Sequence, residues 1–264
     1  MLLCLDVGNS HIYGGLFSGD DLVLRFRHTS KVSTSDELGI FLKTVIREND
    51  LNPSEISSIA ICSVVPSLEY SLRAACIKYF SIEPFFLQAG VKTGLNIQYK
   101  QPGDVGADRI ANAIAATQQF QGKNLIVIDF GTATTFCVIN HQKTYFGGAI
   151  LPGMRLCVDA LSNHTAKLPM VDIIKMDHVV GRSTVDSIQS GVFYGALGAC
   201  RELIQRIKQE QFPNQAVLVL ATGGFASLFE HHHLYDHHLP DLVLQGVRFA
   251  AQLNGVIAEP SMSP

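Results

Sequence analysis

A duplicated segment carries two aspartates in a setting that suits phosphate chemistry. Asp6, in LLCLDVGNS, is matched 123 residues later by Asp129, in LIVIDFGTAT. Each aspartate ends an apolar run typical of a buried strand and lies two residues before a glycine, so the backbone there can approach a ligand closely. Two copies in one chain predict a duplicated unit with a cleft between its halves and one aspartate of each half facing it. Such an arrangement suits a metal-assisted phosphoryl transferase.

Two facing carboxylates would need a cation. At about 4 Å they repel by roughly 4 kcal/mol at an effective dielectric near 20, and a divalent cation reverses the sign of that energy. Mg²⁺ is usually held by one or two carboxylates together with nucleotide phosphates. Either aspartate alone could merely cap a turn, but the repetition favours the functional interpretation.

A second motif, Gly106-Ala107-Asp108-Arg109, opens a strongly helical segment. Asp108 falls in the first helical turn, where N–H groups and the helix dipole favour an anion, so it could be only a cap. Alternatively, the glycine could expose Asp108 as a base towards a substrate hydroxyl, with Arg109 holding a carboxylate or phosphate through two hydrogen bonds. The residues alone leave these two interpretations even.

Small residues cluster at three predicted strand ends, where backbone N–H groups can hold phosphates. The clusters are Gly8-Asn9-Ser10, Gly131-Thr132-Ala133-Thr134 and Thr222-Gly223-Gly224. None matches the P-loop or Rossmann glycine pattern, which argues against those sites. A histidine-rich run, His231 to His233 with His237 and His238, suggests a metal site, but a solvated loop is favoured because histidine tracts are only suggestive.

The elements that must position these residues follow an α/β order. Strands are predicted at 2–7, 12–17, 22–27, 56–65, 85–88 and 216–221, and helices after the cap cluster Ser33–Ser35 and at 68–80, 107–119, 154–161, 184–209 and 242–253. The second half repeats the scheme of the first, with a strand and a hairpin reaching Phe146. The glycine-bearing loop 90–106 is of a kind that is usually functional or mobile. The predicted domains are 1–118 and 119–264.

Composition excludes several classes of function. With 47% hydrophobic and 16% charged residues in 264, the chain is globular. A net charge of -3 without a Lys/Arg run gives no reason to expect nucleic-acid binding. Six cysteines without paired spacing favour a reducing compartment, and no signal peptide or apolar run of about 20 residues is present. A cytoplasmic protein that does not enter the membrane is expected.

Several long motifs, in the same order along the chain, resemble the type III pantothenate kinases of the acetate and sugar kinase/heat-shock chaperone/actin superfamily. The motifs are DVGNS at 6–10, SVVP at 63–66, GADRIANA at 106–113, DFGTATTF at 129–136, GGAILPGM at 147–154, LSNHTAKLP at 161–169, GRSTVDSIQSGVFYG at 181–195 and ATGG at 221–224. The resemblance implies two ribonuclease-H-like domains with a nucleotide cleft between them. It also implies phosphorylation of pantothenate at its 4′-hydroxyl by ATP, the first step of coenzyme A synthesis.

The resemblance also implies roles for single residues. Asp108 would be the base, Asp6 would lie near Mg²⁺, and Asp129 would bind a monovalent cation, K⁺ or NH₄⁺. ATP would contact Thr132 and a first phosphate loop made of Asp6, Val7, Gly8, Asn9, Ser10, His11, Ile12 and Tyr13. Pantothenate would bind Tyr99, Gly106, Ala107, Asp108, Arg109 and Thr184. An aspartate of ordinary pKa suffices as base, because the hydroxyl proton leaves late. A homodimer is implied, with the substrate pocket near its interface.

Two departures and two alternatives accompany this interpretation. Many relatives have aspartate where this chain has Cys137, which strand alternation places either near the cleft or in the core. Ser10 replaces the more usual threonine and keeps the hydroxyl. Some relatives, named Bvg accessory factor, were described as transcription regulators, but this chain lacks a basic stripe for DNA. A different kinase or a nucleotide hydrolase on the same scaffold is the other alternative.

Overall fold

The computed structural model describes residues 1–257, and the last seven residues of the predicted second domain, 258–264, lie outside the described residues. The chain forms two compact units. Within the described residues, the first comprises 1–95, 99–115 and 242–257, and the second comprises 96–98 and 116–241. The prediction of domains at 1–118 and 119–264 used sequence order alone, and it therefore differs from these units in where it places the last helix.

The first unit is built on a five-stranded sheet. Its strands are β1 (Leu2–Val7), β2 (His11–Ser18), β3 (Asp21–Thr29), β4 (Ser58–Ser63) and β5 (Phe85–Leu87), in the order β3-β2-β1-β4-β5. β1 is antiparallel to β2 and parallel to β4. Its helices are α1 (Ser35–Arg47), α2 (Pro66–Phe80), α3 (Ala107–Gln119, which runs on into the second unit) and α6 (Leu242–Leu253).

Local sequence explains why the first two helices begin where they do. Thr34 caps α1, because its hydroxyl accepts a hydrogen bond from the Glu37 N–H while the Glu37 carboxylate accepts one from the Thr34 N–H. This capping box is the one that the Ser33–Ser35 cluster predicts, and such a cap stabilises a helix by about 1 kcal/mol. α2 begins at Pro66, whose fixed φ and missing N–H suit the first helical turn.

The second unit repeats this plan. Its strands are β6 (Asn96–Ile97), β7 (Asn124–Phe130), β8 (Ala133–Ile139), β9 (Thr144–Gly147), β10 (Ile150–Pro152), β11 (Val217–Thr222) and β12 (His237–His238), and its helices are α4 (Met154–His164) and α5 (Thr184–Gln211). The order β12-β11-β7-β8-β9 reproduces the order of the first sheet, read from the other end, with β6 added beyond β9. The predicted α/β fold of two duplicated ribonuclease-H-like domains is therefore confirmed.

The last helix packs on the first sheet and on α3. α6 contacts β1, β4 and β5. Gly246 of α6 lies so close to α3 that a methyl group there would come within 1.8 Å of the Ala111 carbonyl oxygen. The start of α3, which carries Asp108, is thereby fixed by the last helix of the fold.

Most predicted elements are confirmed, and the exceptions are short. Helix α3 and helix α6 have the predicted bounds, and β4 is shorter than the predicted strand at 56–65. β6, β10 and β12, of two or three residues each, were not predicted because strands so short carry no alternation. Among the described residues, none of the helices combines the length and apolar character that crossing a membrane requires.

Candidate active site

Asp6 lies near the carboxyl end of β1, between two neighbouring strands. It is in register with Tyr13 of β2 and with Cys62 of β4. Its Oδ1 accepts a hydrogen bond from Cys62 Sγ at 3.2 Å. The carboxylate is partly buried, while Asn9 and Ser10 of the following turn are exposed. The strand thus presents a carboxylate beside an open turn.

The turn after β1 is held by backbone hydrogen bonds. The Gly8 N–H donates to the His11 carbonyl at 3.0 Å, and the Ser30 N–H donates to the Ser10 carbonyl at 3.0 Å. A methyl group at Gly8 would lie 3.3 Å from the His11 oxygen, closer than ordinary contact. The predicted phosphate loop from Asp6 to Tyr13 is therefore a tight hairpin turn.

Asp108 lies in the first turn of α3, with its carboxylate turned back over Gly106. Its Oδ1 accepts a hydrogen bond from the Arg109 N–H at 2.7 Å. A methyl group at Gly106 would come within 2.5 Å of the same oxygen and 3.6 Å from Val64 Cγ1, just beyond β4. Gly106 thus leaves the space that the carboxylate occupies, which gives the glycine of this motif a specific steric role.

Burial changes the acidity that the sequence predicts for Asp108. Desolvation raises the pKa of its carboxyl above the usual 3.8, and the Arg109 N–H and guanidinium charge partly oppose that rise. The sequence alone does not predict this rise, because the burial of the carboxyl depends on contacts between distant residues. Arg109 itself is only 7% exposed, so its charge acts on the site from inside the unit.

Asp6 and Asp108, 102 residues apart in sequence, converge on one buried thiol. Burial raises the pKa of Cys62 well above 9.0, and the negative charges of Asp6 and Asp108 are the next largest causes. Both carboxylates therefore lie close enough to Cys62 to interact with it. Sequence reasoning missed Cys62, although it could have been placed beside Asp6 once β4 was expected to run parallel to β1.

Asp129 has the equivalent position in the second unit. It lies near the end of β7, in register with Thr135 of β8 and with Thr222 of β11. Gly223 has φ +88°, and a methyl group there would approach Asp129 Oδ1 to 2.4 Å. A methyl group at Gly131 would lie 3.5 Å from the same oxygen. Two glycines thus border this carboxylate, and only hydrogen fits at Gly223.

Thr132 lies in the turn after β7, next to the start of α4. The Gly153 N–H donates to the Thr132 carbonyl at 3.1 Å, and a methyl group at Gly153 would come within 2.3 Å of that oxygen. The close approach fixes the turn that carries the threonine. Asp129 and Thr132 therefore share one rigid strand end, as the motif DFGTAT predicts.

The remaining predicted substrate residues lie at different places. Tyr99 is 37% exposed and belongs to the first unit, and Ala107 is the first residue of α3. Thr184 begins α5 in the second unit and lines an apolar cavity of about 870 Å³ between α4 and α5. Cysteine and aliphatic side chains and the glycines of α5 form most of this cavity's wall.

Two further sequence predictions have an outcome in the structure. Cys137 lies in the core, 2% exposed, where the Tyr145 hydroxyl donates to its sulfur at 3.5 Å. The histidine run forms a 3-10 turn, Ala226–His232, and strand β12, instead of a loop. Within residues 1–257, no group of three or more His, Cys, Asp or Glu side chains is arranged to hold a metal.

The donor set suits a cation that also binds phosphate. Asp6 offers carboxylate oxygens, which Mg²⁺ prefers, and one or two carboxylates suffice when phosphates complete the shell. Asp129 offers a carboxylate next to backbone left open by Gly223 and Gly131. The residues present therefore fit Mg²⁺ with a nucleotide at the first aspartate and a second cation at the other.

Comparison with known proteins identifies the family. Residues 2–206 match the family model described as type III pantothenate kinase. A type III pantothenate kinase of Legionella pneumophila (strain Corby) is 71% identical over 254 residues, which cover 96% of this chain and 99% of the relative. Type III pantothenate kinase 1 of Francisella tularensis subsp. holarctica (strain OSU18) is 48% identical over 255 residues, covering 96% and 100%.

Solved structures support the fold. A Campylobacter jejuni protein assigned to the Baf family of transcriptional activators has a TM-score of 0.61 at 20% identity, over 97% of this chain and 100% of that one. A Sinorhizobium meliloti protein assigned as a 2-dehydro-3-deoxygalactonokinase has a TM-score of 0.59 at 13% identity, over 100% of both chains. At these identities the likeness concerns the fold alone. The sequence matches decide the family, and the chain belongs to the type III pantothenate kinases.

Proposed function

We propose that this kinase transfers the γ-phosphoryl group of ATP to the 4′-hydroxyl of pantothenate, the first step of coenzyme A biosynthesis. The observation that carries the proposal is that one unit places the Asp6 carboxylate near the end of β1 and the Asp108 carboxylate in the first turn of α3, in a chain 71% identical to a type III pantothenate kinase. A metal-binding carboxylate and a base are the two groups that phosphoryl transfer to an alcohol needs.

In the proposed reaction, Asp108 accepts the proton of the 4′-hydroxyl. The hydroxyl oxygen forms a bond to the γ-phosphorus while the bond from that phosphorus to the β,γ-bridging oxygen breaks, and ADP leaves. The hydrogen bond from the Arg109 N–H holds Asp108 Oδ1, which fixes the direction in which the carboxylate meets the hydroxyl. Burial raises the pKa of the Asp108 carboxyl above its ordinary value, which makes its carboxylate a stronger base than a solvent-exposed one.

The cations would be held by the two equivalent aspartates. Asp6 would hold Mg²⁺ with the nucleotide, and Asp129 would hold K⁺ or NH₄⁺. When bound, such cations neutralise the charge of the phosphate oxygens. The backbone of the turn from Gly8 to Ser10 would bind phosphate oxygens, and Thr132 would contact ATP at the strand end of the second unit.

Pantothenate would bind at Gly106, Ala107, Asp108, Arg109, Tyr99 and Thr184. The buried Arg109 guanidinium is the natural partner for the pantothenate carboxylate, because arginine binds carboxylates through two parallel hydrogen bonds. A cytoplasmic location is proposed because none of the six cysteines forms a disulfide, and all six lie in the described residues.

A coupled assay of ADP release tests the function directly. With Mg-ATP and K⁺, ADP release is expected to depend on pantothenate. Asp108→Asn should lower kcat by 100-fold or more while ATP still binds, because the base is lost. Asp104→Asn, an exposed aspartate four residues earlier, is the matched control and should leave kcat unchanged. ADP release without any acceptor would indicate a hydrolase, and equal rates in Na⁺ and K⁺ would contradict the role of Asp129.

We also propose that the protein is a homodimer joined through the face of the second unit around α4 and α5. Several large apolar side chains of this unit are exposed, in β10, in α4, at the start of α5 and in the segment between the two helices, namely Ile150, Leu156, Met170, Val179, Val180 and Val185. Exposed apolar side chains that a second copy covers are typical of a subunit interface, which is the reason for proposing this face. Leu156→Asp should convert the dimer to monomer in sedimentation experiments, whereas Tyr70→Asp, at a side chain 84% exposed on α2, should not. A wild-type monomer would refute the proposal.

A further inference from the structure

Cys62 is a buried thiol for which the proposed reaction has no role. It lies in β4 with 0% exposure, in parallel register with Asp6. Its sulfur donates a hydrogen bond to Asp6 Oδ1 at 3.2 Å. A thiol is a weak donor, but a carboxylate is a charged acceptor, and hydrogen bonds to charged groups are stronger than neutral ones.

The setting of Cys62 differs from that of the other buried thiols of the same unit. Burial is the main reason for the raised pKa of Cys4 and Cys76, and no carboxylate acts on either. At Cys62 two carboxylates, those of Asp6 and Asp108, add to burial. The hydrogen bond from the Cys62 sulfur to Asp6 Oδ1 at 3.2 Å is the geometric consequence of this setting.

The duplicated unit has a side chain of similar size at the matching position. Asp129 is in register with Thr222 of β11, as Asp6 is with Cys62 of β4. Thr222 is 2% exposed and has a hydroxyl where Cys62 has a thiol. Both copies of the fold therefore place a small, buried side chain with a polar hydrogen on the strand next to the aspartate.

We propose that Cys62 is a positioning residue whose thiol hydrogen bond fixes the carboxylate of Asp6 in the orientation that binds the metal–nucleotide complex. The inference rests on the proposed function of Asp6. A carboxylate turns easily about its terminal torsion, and a donor on one oxygen selects one orientation before the ligand arrives. Preorganisation of this kind increases affinity, because less freedom is lost on binding.

The test compares three substitutions at Cys62 with one control. Cys62→Ala and Cys62→Val remove the donor, and valine restores volume with a side chain suited to a strand. Cys62→Ser keeps a donor. Cys76→Ala removes a thiol that is equally buried in the same unit but has no carboxylate nearby, and it reports the effect of core volume alone.

The first readout is binding of Mn²⁺-ATP without pantothenate, measured by electron paramagnetic resonance or calorimetry. Cys62→Ala and Cys62→Val should each raise the dissociation constant roughly fivefold, while Cys62→Ser and Cys76→Ala stay within about twofold of wild type. The second readout is kinetic. The KM for Mg-ATP should rise by a similar factor in the first two variants, and kcat should change less.

Each outcome of these measurements either supports the role of Cys62 or overturns it. If Cys62→Val, or a folded Cys62→Ala, binds Mn²⁺-ATP as wild type does, or if Cys62→Ser is as impaired as they are, the inference is overturned. Loss of binding in Cys76→Ala to the same degree would also overturn it, because volume alone would then explain the effect. If the wild type binds Mn²⁺-ATP but does not phosphorylate pantothenate, the proposed function fails while the binding series still tests Cys62.

Discussion

Substituting Gly106 by alanine should remove activity without unfolding the protein. A methyl group at this position would lie 2.5 Å from Asp108 Oδ1. The backbone of Gly106 is not in the left-handed region, since it is absent from the glycines with positive φ, so alanine causes no backbone strain. The clash is therefore with the end of a side chain, and this side chain is the proposed base.

The geometry gives the size of the effect. Ordinary contact begins at 3.4 Å, so the carboxylate must retreat by about 0.9 Å. A misplacement near 1 Å of a reacting group can lower the rate about 100-fold. The free energy of unfolding should fall only by the contribution of the hydrogen bond from the Arg109 N–H to Asp108, which is about 1–2 kcal/mol. For a chain of this length, that corresponds to a fall in melting temperature of about 3–6 °C.

The assay measures kcat, ATP binding and thermal unfolding for Gly106→Ala and for Gly103→Ala. Gly103 is the matched control, because it lies in the same segment, is exposed, and a methyl group there would meet its nearest atom, Ala89 Cβ, only at 3.9 Å. The control should behave as wild type. If Gly106→Ala keeps full kcat, then Asp108 does not act from the position described, and the assignment of the base is refuted. If the variant unfolds instead, the steric argument is wrong.

Two further predictions concern stability. Gly223→Ala should destabilise the protein by about 2–5 kcal/mol, because Gly223 has a φ of +88° and a methyl group there would clash with Asp129 Oδ1. Gly198→Ala, in open space on α5, is the control and should be neutral or stabilising. Thermal melts of both variants measure this, and an unchanged melting temperature for Gly223→Ala would contradict it. Asp108→Asn should melt at the same or a higher temperature than wild type at pH 7, with the difference shrinking as the pH falls below the raised pKa of Asp108. The sign follows because folding raises the pKa of this carboxyl. The folded protein is therefore most stable when the carboxyl is protonated, and its stability falls as the pH rises through the pKa of the folded state. A clear loss of stability in Asp108→Asn at neutral pH would contradict this reasoning.

The sequence predicts those parts of the fold and site that depend on short-range patterns. The repeated apolar run ending in Asp-apolar-Gly placed Asp6 and Asp129 at equivalent strand ends, and the structure gives both the same strand neighbours. The capping cluster before α1 and the alanine-rich segment of α3 also carry their own signals. These features are local, so a single sequence contains them.

The features that the sequence did not predict depend on contacts between distant residues. Whether α6 packs on the first or the second unit is not encoded in its amphipathic pattern, which only requires a sheet to cover. Cys62 reads as a core cysteine in an apolar strand, and only the pairing of β4 with β1 brings it to Asp6. The raised pKa of Asp108 likewise depends on burial by side chains elsewhere in the chain.

The two copies of the unit share one backbone plan, but the residues beside the two aspartates differ, and this difference bears on the roles proposed for them. In the first unit Cys62 is followed by Ser63, the last residue of β4, and by Val64, and Gly106, just before α3, lies beside Val64 and next to Asp108. In the second unit β11 leads directly into Gly223, whose backbone approaches Asp129 so closely that no side chain fits. A carboxylate with a second acidic group in the same unit suits a divalent cation and proton transfer. A carboxylate bordered by backbone suits a monovalent cation, which needs no second negative charge. The different surroundings of the two aspartates therefore support the separate roles proposed for them.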